Sequence, residues 1–246
     1  MKKWLTVFSA LIFLFIGTGF VSTAGAITYD LKTDWSDTNN PNGVWAFYQD
    51  VLLPLQSDYF NDGSNWEGYA KTYVYGTGHV PSWLQVDGSW SGADFQVGDI
   101  VFHPTSLTSS SPPNVESFVT WTSPIDGQIS ISGNIWYGEA TMPRGVDWYL
   151  YLNDDPLAFG TVYNGDAYDR SNPMTFSGGG VLSVQVGDDV KFMGKTGSGY
   201  VFPWFVGVNL TIDTQPYQQT VPEPTTMILV GLGFIGLAGI RKKFKN

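Results

Sequence analysis

The chain has no cysteine in 246 residues. Neither a disulfide nor a thiolate metal site can form, so the fold rests on burial alone, even if the chain reaches a compartment that would permit disulfides. Charge is scarce and one-sided, with 12 Lys and Arg against 22 Asp and Glu. Histidine occurs only at His79 and His103, which leaves little for imidazole catalysis or zinc and makes a packed, structural role the simpler reading of both. Gly-x-Ser-x-Gly, His-Glu-x-x-His and a phosphate-cradling glycine loop are all missing, and with them the signatures of α/β-hydrolases, zinc proteases and P-loop enzymes. Between the two ends of the chain no stretch of a dozen residues is apolar at i, i+3 and i+4. The nearest candidate helix, residues 44–55, carries Pro54 inside its end.

The long apolar runs stand at the ends. Met1, Lys2 and Lys3 precede an apolar stretch from Trp4 to Phe20, which closes on Ala24, Gly25 and Ala26. That order predicts a secretory signal peptide over residues 1–26. At the other end, the uncharged stretch from Thr225 to Ile240 is followed by Arg241, Lys242, Lys243, Phe244 and Lys245. As a helix it would measure roughly 24 Å, just under a hydrocarbon core of about 30 Å, so it is expected to cross the inner membrane only marginally. The cationic cluster would hold the tail on the cytoplasmic side and leave the bulk of the chain facing outward.

Residues 27–220 are expected to form one domain. They hold 21 of the 22 acids but only six of the 12 bases, about fifteen negative charges net. Such a balance excludes nucleic acid and anionic lipid as partners and favours hard cations. The adjacent acids Asp154 and Asp155, and Asp188 and Asp189, fall at turns and are candidate ligands of a structural calcium, the one cofactor the sequence suggests. Neighbours on a strand point apart, so neither pair reads as a catalytic couple, and no catalytic residue is assigned.

The second half of this region alternates. Phe118 to Thr122 leads through Ile125-Asp126-Gly127 into Gln128 to Trp136, which reads as an antiparallel strand pair with Ile129, Ile131 and Ile135 inward. Ser130, Ser132, Asn134 and Trp136 then share the opposite face. Val146, Trp148, Leu150 and Leu152 alternate with Asp147, Tyr149 and Tyr151 up to a turn at residues 153–156. Leu182, Val184 and Val186 read as inward, and so do Val206, Val208, Leu210 and Ile212. The expected fold is all-β, an antiparallel jelly-roll-like sandwich of about eight to ten strands.

Ten Trp and 13 Tyr exceed the needs of a core this size. Sugars dock apolar faces on flat rings while nearby polar groups take their hydroxyls. Asn134, Trp136, Tyr149 and Tyr151 are therefore candidate ligand-binding residues. The competing reading is that a second layer covers these rings and makes them core.

Val221, Pro222, Glu223 and Pro224 stand directly before the C-terminal apolar stretch, where two prolines around one residue hold the backbone extended for an enzyme. Together with the glycine-rich span and Arg241, Lys242 and Lys243, this tail, residues 221–246, resembles the PEP-CTERM sorting tails of Gram-negative bacteria. The resemblance implies handling by an exosortase-type processing enzyme, with transit through the inner membrane to the cell surface or extracellular matrix. A second set, residues 40–45, His103-Pro104, residues 119–124, Asp126-Gly127 and residues 186–190, resembles a recurrent jelly-roll domain of exported PEP-CTERM proteins, similar in shape to carbohydrate-binding modules. Two functions follow as expectations: a surface protein with a non-catalytic polysaccharide-binding face, or a structural or adhesive matrix component without specific sugar binding. A secreted glycan-active enzyme ranks behind both.

Overall fold

Alternation dictates most of the architecture. Strands whose apolar residues recur at every second position bury one face, and two such faces close on each other. The computed structural model describes residues 25–56, 68–70, 74–75, 78–79, 82–88, 93–104, 116–138, 143–216 and 231. Residues 1–24 of the expected signal peptide 1–26, residues 221–224, nearly all of the apolar tail and residues 241–243 lie outside them, as does the side chain of His79. Among the described residues no helix is long and apolar enough to cross a membrane.

Fifteen strands occur among the described residues. They are β1 (Ile27–Asp30), β2 (Trp45–Tyr48), β3 (Leu55–Gln56), β4 (Gly68–Ala70), β5 (Val74–Tyr75), β6 (Gly78–His79), β7 (Ser82–Gln85), β8 (Ile100–His103), β9 (Ser117–Thr122), β10 (Gly127–Tyr137), β11 (Gly145–Leu152), β12 (Asp155–Tyr163), β13 (Met174–Val184), β14 (Asp189–Thr196) and β15 (Val206–Pro216). The larger sheet runs β13-β10-β15-β8-β7-β4-β3, with β1 paired to β15 as well; the smaller runs β12-β11-β14-β9-β2. All of these pairings are antiparallel. From β8 to β15 the chain passes repeatedly from one sheet to the other, only β11 and β12 being consecutive partners. The fold is an all-β antiparallel sandwich.

Between the sheets lies an aromatic core. Phe102, Trp83 and Phe176 of the larger sheet meet Phe192 and Trp148 of the smaller one. Ile129, Ile131, Ile135, Val206, Val208, Leu210 and Ile212 are all buried, as their alternation requires. Val184 is buried too, but Val186 is 64% exposed. The strand ends at Val184, and Val186 sits in the turn where the Gln185 N–H bonds Asp188.

The segments around Phe118 and Gln128 are strands, but they do not form the expected pair. β9 lies in the smaller sheet between β14 and β2, and β10 lies in the larger one between β13 and β15. Val119 and Trp121 of β9 and the isoleucines of β10 face each other across the core, so they cannot belong to one layer. Residues 123–126 arch between the sheets, fastened where the Ser123 N–H donates to the Asp188 carbonyl and the Gly187 N–H to that of Ser123.

A second, smaller core covers the outer face of the larger sheet. Trp136 lies there at 2% exposure with Leu84, Val86, Phe95, Val101 and Phe205. Its partner in register on β15 is Gly207, which leaves a slot the indole fills. A Cβ at Gly207 would sit inside that indole. Gly207→Ala is therefore expected to cost about 2 kcal/mol by overpacking, a fall in Tm of about 6 °C at this domain size. Calorimetry checks it, and Trp136→Phe in the same background should recover part of the loss.

Candidate functional site

The outer face of the smaller sheet is built by the residues that alternation turns away from the core. On β11 these are Tyr149 and Tyr151, set opposite the buried Val146, Trp148 and Leu150. Register then assembles what no single strand contains. Phe159 of β12 pairs with Tyr149, Tyr149 with Met193 of β14, Met193 with Phe118 of β9, and Phe118 with Tyr48 of β2. One row thus crosses all five strands, four of its five residues aromatic.

The rings associate along this row. Tyr48 and Phe118 stack at 5.3 Å, Tyr149 and Phe159 at 6.4 Å, and Tyr149 and Tyr151 at 6.2 Å. Phe159 is 75% exposed, whereas Met193 in the middle of the row is buried. Two ammonium groups lie on the same face. The Lys191 Nζ is 4.9 Å from the Tyr151 ring and 5.8 Å from that of Phe118, and the Lys195 Nζ is 4.8 Å from the Tyr149 ring. Burial first, then the Glu116 carboxylate, pushes the Tyr151 hydroxyl above its ordinary value, so it stays a neutral donor. The face offers flat apolar surface, phenol hydroxyls and ammonium donors in alternation.

At the lower end of the face, Asp147 is 6% exposed and fully engaged. Its Oδ1 accepts from the Thr161 hydroxyl at 2.6 Å, and its Oδ2 accepts from the Ser198 N–H and hydroxyl, each at 2.9 Å. It braces β12 and the β14–β15 turn against β11, and so fixes the plane on which the tyrosines stand.

Of the four residues singled out by sequence, Tyr149 and Tyr151 share this face. Asn134 and Trp136 belong to the other sheet and are not brought near them. Asn134 pairs with Asn209, whose Nδ2 donates to its Oδ1 at 3.0 Å. Trp136 is no open platform: it is buried beneath Phe95, and its Nε1–H donates to the Asp94 carbonyl at 3.1 Å. Tyr48, Phe118, Phe159, Lys191 and Lys195 escaped sequence reading. Lys191, Met193 and Lys195 do share parity against Phe192, a signal visible in the sequence, but the aromatic residues of the face come from four other strands.

Asp188 and Asp189 secure turns. The Asp188 carboxylate accepts from the Asn153 Nδ2 and the Gln185 N–H, and Asp189 Oδ1 accepts from the Thr122 hydroxyl at 2.6 Å. Asp154 and Asp155 are exposed around the β11–β12 turn, where Asn153 adopts φ 53°. Among the described residues, no group of three or more His, Asp or Glu is placed to hold a metal. His103 packs edge-on against Phe205 at 4.6 Å, and its Nδ1 lies 2.6 Å from the Pro104 carbonyl. Burial lowers its pKa to about 4, so the ring is neutral near pH 7.

Residues 220–243 match the family described as the PEP-CTERM protein-sorting motif. The motif marks an exported protein that is recognised by an exosortase and sorted to the cell surface. No curated protein matches the chain. Among solved structures, the chain is similar to the K1 cleaved adhesin domain of Lys-gingipain from Porphyromonas gingivalis W83, at 8% identity and a TM-score of 0.37, covering 79% of this chain and 100% of that one. It is similar at 9% identity, TM-score 0.34, to the CBM51 from Clostridium perfringens GH95 in complex with methyl-galactose, covering 76% and 99%. A third is the C-terminal CBM6 of LamC, a marine laminarinase from Zobellia galactanivorans, at 10% identity and TM-score 0.27, covering 68% and 98%.

Proposed function

We propose that the protein is a non-catalytic surface or matrix module that binds polysaccharide on the outer face of its smaller sheet. The observation that carries this reading is the row Phe159-Tyr149-Met193-Phe118-Tyr48 with Tyr151 beside it. Stacked, partly exposed rings flanked by hydroxyl and ammonium donors suit sugars, which present an apolar face and a rim of hydroxyls. An extended row suits a chain of sugars better than a single one.

Retention of the full-length protein in gels containing soluble polysaccharides tests the reading. Tyr149→Ala and Tyr151→Ala are each expected to weaken retention about tenfold, the loss of one ring contact worth about 1.4 kcal/mol. Val181→Ser, on an exposed residue of the other sheet, should leave retention unchanged. Calcium, for which Asp154, Asp155, Asp188 and Asp189 are the candidate ligands, is varied in the same assay. Well-folded tyrosine variants that bind like the parent would sink the proposal.

A second reading, self-association in the matrix, is favoured by β12. It is the edge of its sheet, carries no charge from Leu157 to Tyr163, and exposes Phe159. Natural edges are usually guarded by charge or proline, and here Asp155 and Pro156 guard only the first two positions of the strand. Sedimentation across a concentration series decides: a monomer throughout removes this reading.

A further inference from the structure

Charge narrows the ligand class, an inference that rests on the glycan reading of this face. Residues 27–220 carry six cations among 21 acids, yet two of the six, Lys191 and Lys195, stand on this one face. The other described cations are committed elsewhere. Lys32 and Arg170 pair with Asp99, and Arg144 lies over Trp204 at 4.5 Å. Among the described residues neither Lys191 nor Lys195 has an ion-pair partner within 4.0 Å, although Asp147 is the cross-strand neighbour of Lys195 and Glu116 borders the face. Asp147 is turned to Thr161 and Ser198 instead.

We propose that the face takes an extended polysaccharide bearing carboxylate groups at intervals, with Lys191 and Lys195 as the residues that select for its charge. An ammonium resting on a ring is held in place without a counter-ion, and it keeps donors for a ligand oxygen, because the ring occupies only one side of it. The two lysines are four residues apart on one strand, a Cα separation of about 13 Å. Their Nζ atoms rest on two neighbouring rings whose centroids are 6.2 Å apart, and a single sugar acid brings one carboxylate to this pair, whereas a chain can bring one to each ammonium while its apolar faces run along the exposed Phe159 end of the row. Repulsion from the net negative domain selects against dense polyanions. Duplex DNA carries a charge every ~1.7 Å, while a sparsely charged glycan brings few charges beyond those that dock, and screening over about 8 Å mutes the rest.

The test is affinity electrophoresis of the full-length protein in polygalacturonate, alginate and hyaluronate, in the methyl ester of each, in neutral dextran and xylan, and against duplex DNA. Retention is expected on at least one acidic polymer and should be about tenfold weaker on its ester. It should fall by a similar factor in Lys191→Gln/Lys195→Gln, the loss of two cation contacts, with thermal unfolding unchanged. Monomeric galacturonate should fail to compete where its oligomers succeed. Equal retention on acid and ester, or on neutral polymers alone, overturns the charge selection while leaving the glycan reading standing. Retention on no polysaccharide removes both. Retention on DNA equal to that on the acidic glycan, or a double lysine variant that binds like the parent, also overturns the inference.

Discussion

Phe192→Ala is expected to cost about 4 kcal/mol, the upper part of the range for deleting a buried aromatic ring. Phe192 has no exposed surface and is the ring on which both layers converge. It stacks on Trp148 at 6.0 Å within its own sheet. From the other sheet it receives Phe176 stacked at 5.3 Å, Phe102 edge-on at 5.8 Å and Trp83 edge-on at 6.4 Å. Alanine would remove all four contacts and leave a void walled by large rigid rings, which collapse poorly into a gap. A domain of ordinary stability, about 5–15 kcal/mol, would lose a quarter or more of it. Urea unfolding should show a lower midpoint at unchanged slope, and Phe192→Leu should cost about 1.5 kcal/mol, since most of the volume is kept. A loss below that for alanine would mean that the sheets are held together elsewhere.

Phe192 was legible in the sequence only in part. Val190, Lys191 and Phe192 alternate, so the ring's inward direction follows from the pleat, as it does for Ile129 to Ile135 and for Val206 to Ile212. The sheet that a strand joins is a different matter. β9 and β10 follow each other through a four-residue arch and look like a hairpin, yet they oppose each other across the core, because their partners lie about 40 to 90 residues away in sequence. Trp136 shows the same limit from the other side. Its parity places it outward, and outward it is, but Val86, Phe95 and Phe205 pack on that face and turn it into a second core. The candidate site was half visible for this reason. Tyr149 and Tyr151 share a strand, while the aromatic row needs the registers of five strands at once. The short strands β3 to β6, of two or three residues each, show no alternation at all, and they help bring the number among the described residues to fifteen where eight to ten were expected.

Breaking the ion cluster around Asp99 should cost about 3 kcal/mol and reshape the response to acid. Asp99 is 1% exposed. Its carboxylate takes the Arg170 guanidinium in two bonds, Nε to Oδ2 at 2.7 Å and Nη2 to Oδ1 at 3.1 Å, with the Gln96 N–H at 2.9 Å and the Lys32 Nζ at 3.3 Å. Three distant segments are tied there: the turn after β1, the loop before β8 and the loop after β12. Arg170→Met strands a buried carboxylate with one half-exposed lysine, the case in which removing a partner is most damaging. Asp99→Asn is milder, because Arg170 and Lys32, 30% and 38% exposed, can turn to water. The double variant should lose less than the sum of the two, the signature of a shared interaction.

Burial by itself would raise the Asp99 pKa, but the Arg170 and Gln96 hydrogen bonds and the nearby cations outweigh it and hold it below its ordinary 3.8. A depressed carboxyl contributes stability that is present above 3.8 and lost as pH falls through the folded value. His103 acts in a higher window. Its folded pKa of about 4 lies below the ordinary 6.5, so between those values the unfolded chain gains a proton that the folded one refuses, and stability drops as pH falls from 6.5 toward 4. Midpoint temperatures measured from pH 8 to pH 2.5 should therefore decline in two stages. His103→Gln should flatten the upper stage alone and Arg170→Met the lower one. A parent protein whose midpoint holds constant down to pH 4 would show that His103 is solvated enough to charge in the folded state, and Arg170→Met would then be left with the only acid limb to remove.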